Sequence, residues 1–234
     1  MRKSLQVSFT AVFAALHTVL YFVSFGLWRN WGIYLEACEG IILGPKIGFL
    51  AALLGSSIAR MIKPDAFWMF GIVAEPFSVL MTGFLAASKW KPVLAAYAIM
   101  LSAYFLHPYG RALPLWTIMD ILLSLLLIYP AARFSRNLFK KDVKLMSIAV
   151  VTISFVCIAT DSLVRVFLLV PCGLYGLFYG SFGALYVDFV GAAASSYFED
   201  FLVVIVSLLV GVPLLTRLSK ARLFKENREK SEDF

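Results

Sequence analysis

The chain has 234 residues, of which 61% are hydrophobic and 15% are charged, and its mean hydropathy is +0.86. Soluble domains carry about 25% charged residues and about 45–50% apolar ones. This composition excludes a soluble domain and predicts an all-α polytopic membrane protein in contact with the lipid bilayer. The net charge of +7 does not indicate a nucleic-acid partner, because the basic residues lie beside apolar segments, as in charge patterns that orient membrane proteins.

The apolar segments predict one transmembrane domain over residues 1–217 and a charged cytoplasmic tail over 218–234. One pass takes about 20 helical residues. The first span is expected to be a retained helix, because it lacks the Ala-x-Ala cleavage site of a signal peptide. The predicted spans are roughly 6–27, 35–44, 45–62, 67–88, 92–108, 114–134, 145–170 and 198–217. Residues 171–197, rich in Gly, Ser and Tyr, are expected to form a long loop with a short interfacial helix.

Segment 35–62 can be one long helix or two short passes hinged at Gly44-Pro45, and the positive-inside rule favours two passes. Connection 133–144 holds five Lys or Arg residues and the C-terminal tail is also basic, whereas 171–197 has neither residue type. The basic segments are therefore predicted to be cytoplasmic and 171–197 external. Counting backwards, only the two-pass arrangement keeps the basic N-terminus inside. We therefore predict a multi-pass protein of the cell membrane with both termini cytoplasmic.

Two motifs lie in the first quarter of the chain. The first helix holds Ala11 and Ala15 in TAVFAALHTVL, a small-xxx-small spacing, and LGPKIGFLAALLG follows at 43–55. Together with a proline-started closing helix that ends in basic residues, this arrangement resembles the substrate-binding S-components of energy-coupling factor (ECF) vitamin transporters. The resemblance implies a six-helix core, whereas eight spans are counted here. Either 92–134 is an inserted hairpin or the last two spans are appended.

The resemblance also implies a function and its partners. Such a subunit captures a small vitamin-like solute from outside and releases it inward when it docks to a transmembrane coupling subunit. Two ATPase subunits would supply the energy, since this chain has no GxxxxGK[ST] motif of its own. By the same resemblance, Ala11 and Ala15 would form the docking face, with packing inside this chain as the alternative. No cofactor and no metal site are expected.

Candidate substrate-binding residues concentrate at the predicted outer ends of the spans. The segment WRNWGIYLEACEG combines aromatic rings with two carboxylates on one helix face, as a pocket for a small flat ligand does. An interfacial aromatic belt is the alternative. Charged residues inside the spans need a partner or a function. Asp161 and Arg165, at i and i+4, are expected to form an ion pair, which is the structural alternative to ligand contact. Tyrosines in 171–197 are candidates for a lid. The full set is Trp28, Asn30, Trp31, Tyr34, Glu36, Glu39, Glu75, Asp161, Arg165, Tyr175 and Tyr179.

Three other function classes are alternatives. A purely structural or scaffolding membrane protein would be expected to lack the carboxylates inside the spans. A self-sufficient secondary transporter of a small organic solute would also use a broken helix such as that at Gly44-Pro45, although no second break lies in a corresponding position. A membrane transpeptidase would need a histidine beyond Arg165 to activate its cysteine, and both histidines, His17 and His107, precede that arginine. We therefore expect no enzymatic activity.

Overall fold

The computed structural model describes residues 3–23, 30–140 and 142–220. These residues form an all-α bundle in which six helices are long and apolar enough to cross a membrane. The chain is therefore a multi-pass membrane protein. The helices are α1 (Lys3–Tyr21), α2 (Ile33–Ile62), α3 (Trp68–Ala86), α4 (Trp90–Leu106), α5 (Pro108–Ala112), α6 (Met119–Phe134), α7 (Val143–Leu169), α8 (Tyr175–Phe178), α9 (Phe182–Val206) and α10 (Val212–Lys220).

Helix α2 is broken at Gly44, whose φ of 74° and ψ of 179° are not helical. The two halves fold back on each other, because a Cβ added at Gly48 would lie 3.3 Å from the backbone oxygen of Glu39, nine residues earlier. A continuous helix would separate these residues by about 13 Å. Pro45 begins the second half, where its missing N–H leaves no helical bond unmade.

The first half of α2, residues 33–43, is almost entirely buried. Eleven helical residues span only about 16 Å, which is about half of a hydrocarbon core. This short helix lies inside the bundle, and Leu35 is its one partly exposed residue. Two of its buried residues are Glu36 and Glu39, so the hairpin carries two carboxylates into the centre of the molecule.

Helix α7 is the central element of the second half of the chain, and it contacts α2, α3, α4, α6 and α9. Its N-terminus is capped by Asp142, whose side chain accepts hydrogen bonds from the backbone N–H groups of Lys144 and Leu145. Most of its residues from Ile153 to Val164 are buried. This extensive burial explains why the helix carries an apolar sequence on every side rather than a single stripe.

The expectation of a long loop over 171–197 is wrong for its second part, since α9 begins at Phe182. The hydroxyl of Ser181 caps this helix by accepting from the backbone N–H of Ala184 at 3.3 Å. Gly and Ser indicate loops in water, but small residues are common in membrane helices, where they permit close packing. A π-helical turn at Ser207–Gly211 then joins α9 to α10. It relieves the clash that Pro213 would cause in a regular helix.

Candidate functional site

A network of buried charged side chains occupies the middle of the bundle, and Glu75 of α3 lies at its centre. The Oε2 atom of Glu75 accepts hydrogen bonds from Arg60 Nη1 at 2.9 Å, from the Ser56 hydroxyl at 2.7 Å, and contacts His17 Nε2 at 3.1 Å. Its other oxygen accepts from Arg60 Nη2 and, at 3.5 Å, from Arg165 Nη2. Four side chains from three other helices thus converge on one carboxylate.

His17 links Glu75 to a second carboxylate. Its Nδ1 atom lies 3.3 Å from Glu39 Oε2, while Nε2 lies 3.1 Å from Glu75, and all three side chains are fully buried. An imidazole with a carboxylate oxygen at each nitrogen either carries two protons or receives one from a protonated carboxyl group. The geometry therefore holds a proton shared among His17, Glu39 and Glu75.

Two further pairs extend the network. Arg165 of α7 forms a bidentate salt bridge with Asp161, one turn earlier, with distances of 2.6 and 3.1 Å. The expected i,i+4 pair is therefore present. Glu36 accepts a hydrogen bond from the Ser78 hydroxyl. Such contacts are the condition under which ionisable groups persist inside a membrane protein.

Gly71 explains how Arg60 reaches this centre. A Cβ atom added at Gly71 would lie 1.7 Å from Arg60 Nη2, so any larger residue would displace the guanidinium group. The Tyr21 ring covers the same group from the other side, with the guanidinium carbon 5.0 Å from the ring centroid. Such stacking is a favourable cation–π contact. Arg60 is thus held in place by ionic, steric and aromatic contacts together.

A cavity of about 360 Å3 lies against this network. Its volume falls within the range of small-molecule sites, which is about 300–1,000 Å3. Arg60 and Arg165 form one wall, and aromatic rings provide apolar surface beside them. The lining residues are Asn30, Arg60, Asp65, Phe67, Phe70, Thr117, Asp120, Ile121, Ser162, Arg165, Val166, Leu169, Tyr179, Asp188, Phe189, Ala192, Ala193, Ser196 and Glu199.

Hydrogen bonds hold residues at the edge of the cavity. The hydroxyl of Tyr179, between α8 and α9, donates to the Asp188 carboxylate. Partial burial and this carboxylate raise the pKa of Tyr179 above its usual range, so the phenol stays protonated and keeps donating to Asp188. On the opposite side, the Tyr21 hydroxyl donates to Asp65 at 2.8 Å. These bonds connect the loops after α2 and α8 to the helices.

The structure separates the predicted binding residues into three groups. Asn30, Arg165 and Tyr179 line the cavity. Glu36, Glu39, Glu75 and Asp161 lie in the buried ionic network. Trp31 and Tyr34 stack on each other with centroids 4.9 Å apart, and Tyr175 packs against Tyr109 at the same distance, so these three rings are not in the lining. Trp28 lies outside the described residues.

The predicted docking residues Ala11 and Ala15 lie on an exposed face of α1. Val12 and Leu16 on this helix are exposed as well. Packing inside this chain, the alternative considered for the two alanines, therefore does not occupy them. A smooth strip of small and aliphatic side chains is left open to lipid or to another helix.

Sequence reasoning missed His17 and Arg60 as members of the site. His17 stands alone in an apolar helix, and Arg60 looks like an interfacial charge at a helix end, so neither indicates a partner by itself. A usable signal did exist: a histidine within an otherwise apolar span is rare and needs a hydrogen-bond partner. The partners come from distant segments, which only the fold brings together.

Known proteins give little further guidance. No protein-family model and no solved structure matches the chain. It is similar to an uncharacterized protein of Methanocaldococcus jannaschii, with 30% identity over 131 residues, which cover 55% of this chain and 44% of that protein. The chain thus spans less than half the length of this relative.

Proposed function

We propose that this protein is the substrate-binding subunit of an ECF-type importer, which captures a small vitamin-like solute from outside the cell. The observation that supports this best is the cavity of about 360 Å3, which combines aromatic walls with a few convergent charged groups, as small-molecule sites do. The motifs around Ala11, Ala15 and Gly44-Pro45, which resemble those of S-components, point to the same class.

The cavity walls suggest which ligand features are recognised. The guanidinium groups of Arg60 and Arg165 are held by Glu75 and Asp161, so their orientation is fixed before a ligand arrives. Arg60 Nε is buried without a hydrogen-bond partner within the described ranges, and a ligand oxygen or nitrogen can accept from it. Phe67 and Phe70 offer faces for a flat ring.

The charge distribution supports an outward-facing cavity. Asn30 and Tyr179 belong to the end of the bundle where segment 171–181 has no Lys or Arg. Lys89, Lys91 and the basic residues of 133–144 lie at the opposite end of α4, α6 and α7. By the positive-inside rule the latter end is cytoplasmic, which places both termini inside and lets the cavity fill from outside.

Release of the solute would require partner proteins. The exposed strip on α1 with Ala11 and Ala15 is the proposed contact for a transmembrane coupling subunit, since small residues let helices approach closely. Two ATPase subunits on the cytoplasmic side would drive the cycle. In this scheme the chain itself binds and releases solute and catalyses no reaction.

The experiment is to purify the full chain and to identify co-purified small molecules by mass spectrometry. Arg165→Gln should abolish retention of the molecule, because it removes a charged donor from the wall, whereas Lys144→Gln, at the far end, should retain it. Uptake of the identified compound in cells should then depend on co-expressed coupling and ATPase subunits. An empty cavity in the wild-type protein, or uptake independent of the ATPases, would argue against the proposal.

A self-sufficient secondary transporter is the second candidate, and one observation favours it. His17 bridges two buried carboxylates, and proton relays of this composition are typical of ion-coupled carriers. The half-helix 33–43 adds a discontinuous helix beside the site, another feature of such carriers. Uptake driven by a proton gradient into vesicles that contain this chain alone would establish this function instead.

A further inference from the structure

A second cavity, of about 180 Å3, lies at the basic end of the bundle, far from the solute cavity. It is lined by Ser88, Trp90, Tyr129, Ala132, Arg133 and Arg136. These residues come from the start of α4, the end of α6 and the turn that follows it. The cavity therefore lies where two membrane helices reach the bilayer surface.

Both arginines are available for a ligand. Arg133 and Arg136 are exposed, and no carboxylate forms a salt bridge with either of them among the residues that the structure describes. The one carboxylate of the described chain near this end is Asp142, which caps α7. The neighbouring Lys89 and Lys91 are basic as well. Within the described residues, the cavity thus carries a positive charge that no carboxylate balances by a salt bridge.

Backbone geometry adds donors to this charge. Helix α4 has 17 residues and begins at Trp90, and no side chain caps its N-terminus. Two N–H groups of the first turn, those of Trp90 and Lys91, have no partner within the helix, whereas Pro92 has no N–H. Such groups attract anions together with the helix dipole. Ser88, in the left-handed region with φ of 59°, turns the chain so that this N-terminus lies beside the two arginines.

Aromatic and aliphatic side chains distinguish a lipid from a soluble anion. Trp90 and Tyr129 meet edge to face with centroids 5.8 Å apart, and such amphipathic rings prefer the headgroup level of a membrane. One turn deeper, Leu94 on α4 and Leu126 on α6 are exposed. They form an apolar path that continues from the cavity toward the bilayer interior, as an acyl chain requires.

From these observations, we propose that this cavity binds the phosphate headgroup of an anionic phospholipid, with its acyl chains along Leu94 and Leu126. Arg133, Arg136 and the N-terminus of α4 would hold the phosphate oxygens, since arginine forms paired hydrogen bonds with them. Basic pockets between membrane helices are known to bind such headgroups. This site is independent of the solute cavity and of the function proposed for it.

The test is native mass spectrometry of the full chain in a neutral detergent, titrated with phosphatidylglycerol. Phosphatidylcholine of the same acyl chains is the neutral comparison, and inorganic phosphate and glycerol 3-phosphate are the soluble ones. We expect phosphatidylglycerol to bind at least tenfold more tightly than phosphatidylcholine. Neither soluble anion should compete at concentrations where the lipid saturates the site. Equal binding of the two lipids, or full competition by a soluble anion, would overturn the proposal.

Matched variants locate the site. The double variant Arg133→Gln/Arg136→Gln should weaken phosphatidylglycerol binding about 30-fold, since each basic residue near an anionic lipid contributes roughly a fivefold factor. Arg133→Lys/Arg136→Lys should recover most of the affinity. Lys46→Gln/Lys144→Gln removes the same charge from exposed positions outside the cavity and should change affinity less than threefold. Equal losses in the two Gln variants would show diffuse attraction and refute a defined site.

Discussion

Replacing Glu75 by glutamine tests whether one carboxylate organises the buried network. The substitution keeps the size of the side chain and removes its charge. Arg60 and His17 then lose the carboxylate that both of them contact. The positive charge of Arg60 therefore lies in the bundle without the negative charge of Glu75 beside it. Ser56 loses a charged partner at 2.7 Å as well. The substitution thus changes one side chain but weakens contacts to several helices.

The magnitude follows from the burial of the pair. Glu75 is fully buried and the side chain of Arg60 is 3% exposed, so water cannot replace the lost partner. Removing one partner of such a buried pair costs about 3–5 kcal/mol. For a chain of this length, 1 kcal/mol shifts the melting temperature by about 2–4 °C. We therefore expect Glu75→Gln to melt roughly 6–20 °C below the wild-type protein.

The assay is thermal unfolding of purified protein in the same detergent, followed by a far-UV circular dichroism signal. Asp142→Asn is the matched control, because it also converts a carboxylate to an amide but does so at an exposed helix cap that asparagine can replace. It should shift the free energy of unfolding by less than about 0.5 kcal/mol. If Glu75→Gln behaves like this control, the buried network does not stabilise the fold and our reasoning fails.

A double variant tests whether the destabilisation by Glu75→Gln comes from the unpaired charge of Arg60. Arg60→Met in the Glu75→Gln background removes the cation, and an uncompensated buried charge is the main cost of breaking such a pair. We expect the double variant to melt above Glu75→Gln. Additive losses would instead mean that Glu75 and Arg60 stabilise the protein independently.

Three further predictions concern the helical hairpin. In thermal unfolding, Gly44→Ala should lower the free energy of unfolding by about 1–3 kcal/mol, since φ is 74° there. The control Gly191→Ala has open space around it and should not lower this free energy. Gly83→Ala should cost about 1–3 kcal/mol in the same assay, because its Cβ would lie 2.4 Å from the backbone nitrogen of Pro45. In a Cys172→Ser background, which removes the exposed native thiol at the proposed outer end, Lys46→Cys should react with a membrane-impermeant maleimide only in inside-out vesicles, and labelling of intact cells would reverse the proposed topology.

The fold class was accessible from composition, but the paths of individual helices were only partly so. Hydropathy and flanking basic residues identify membrane helices, because in lipid every span must be apolar and must satisfy its own backbone hydrogen bonds. The break at Gly44 was also readable, since Gly-Pro inside an apolar run disfavours a continuous helix. The helix from Phe182 was missed. Its Gly and Ser residues indicate a loop in water, and the packing that supports a helix there comes from distant parts of the chain.

The site was harder to read, because its partners are far apart in sequence. His17 and Glu75 are 58 residues apart, and Arg165 and Glu75 are 90 apart. Among the charged pairs of the network in the described residues, only Asp161 and Arg165 lie within one helix, and this local pair was predicted. Carboxylates inside spans were recognised as important, yet local patterns cannot say whether such a group contacts a ligand, an arginine or a histidine.

A count of charges connects the network to the choice between the two proposed functions. Among the described residues, the buried network holds four carboxyl groups, namely Glu36, Glu39, Glu75 and Asp161, and at most three cations, namely His17, Arg60 and Arg165. A buried charge left unbalanced costs several kcal/mol.

The network therefore favours one further positive charge. A proton bound to one of the carboxyl groups supplies this charge without any additional ion. Glu36 is a suitable place for it, since its Oε2 already bonds the Ser78 hydroxyl and its Oε1 has no hydrogen-bond partner. In a binding subunit this proton stays in place through the transport cycle. In a carrier it leaves with each turnover. Transport by a Glu36→Gln variant thus distinguishes the two: it persists with ATPase partners in the first case and loses its dependence on a proton gradient in the second.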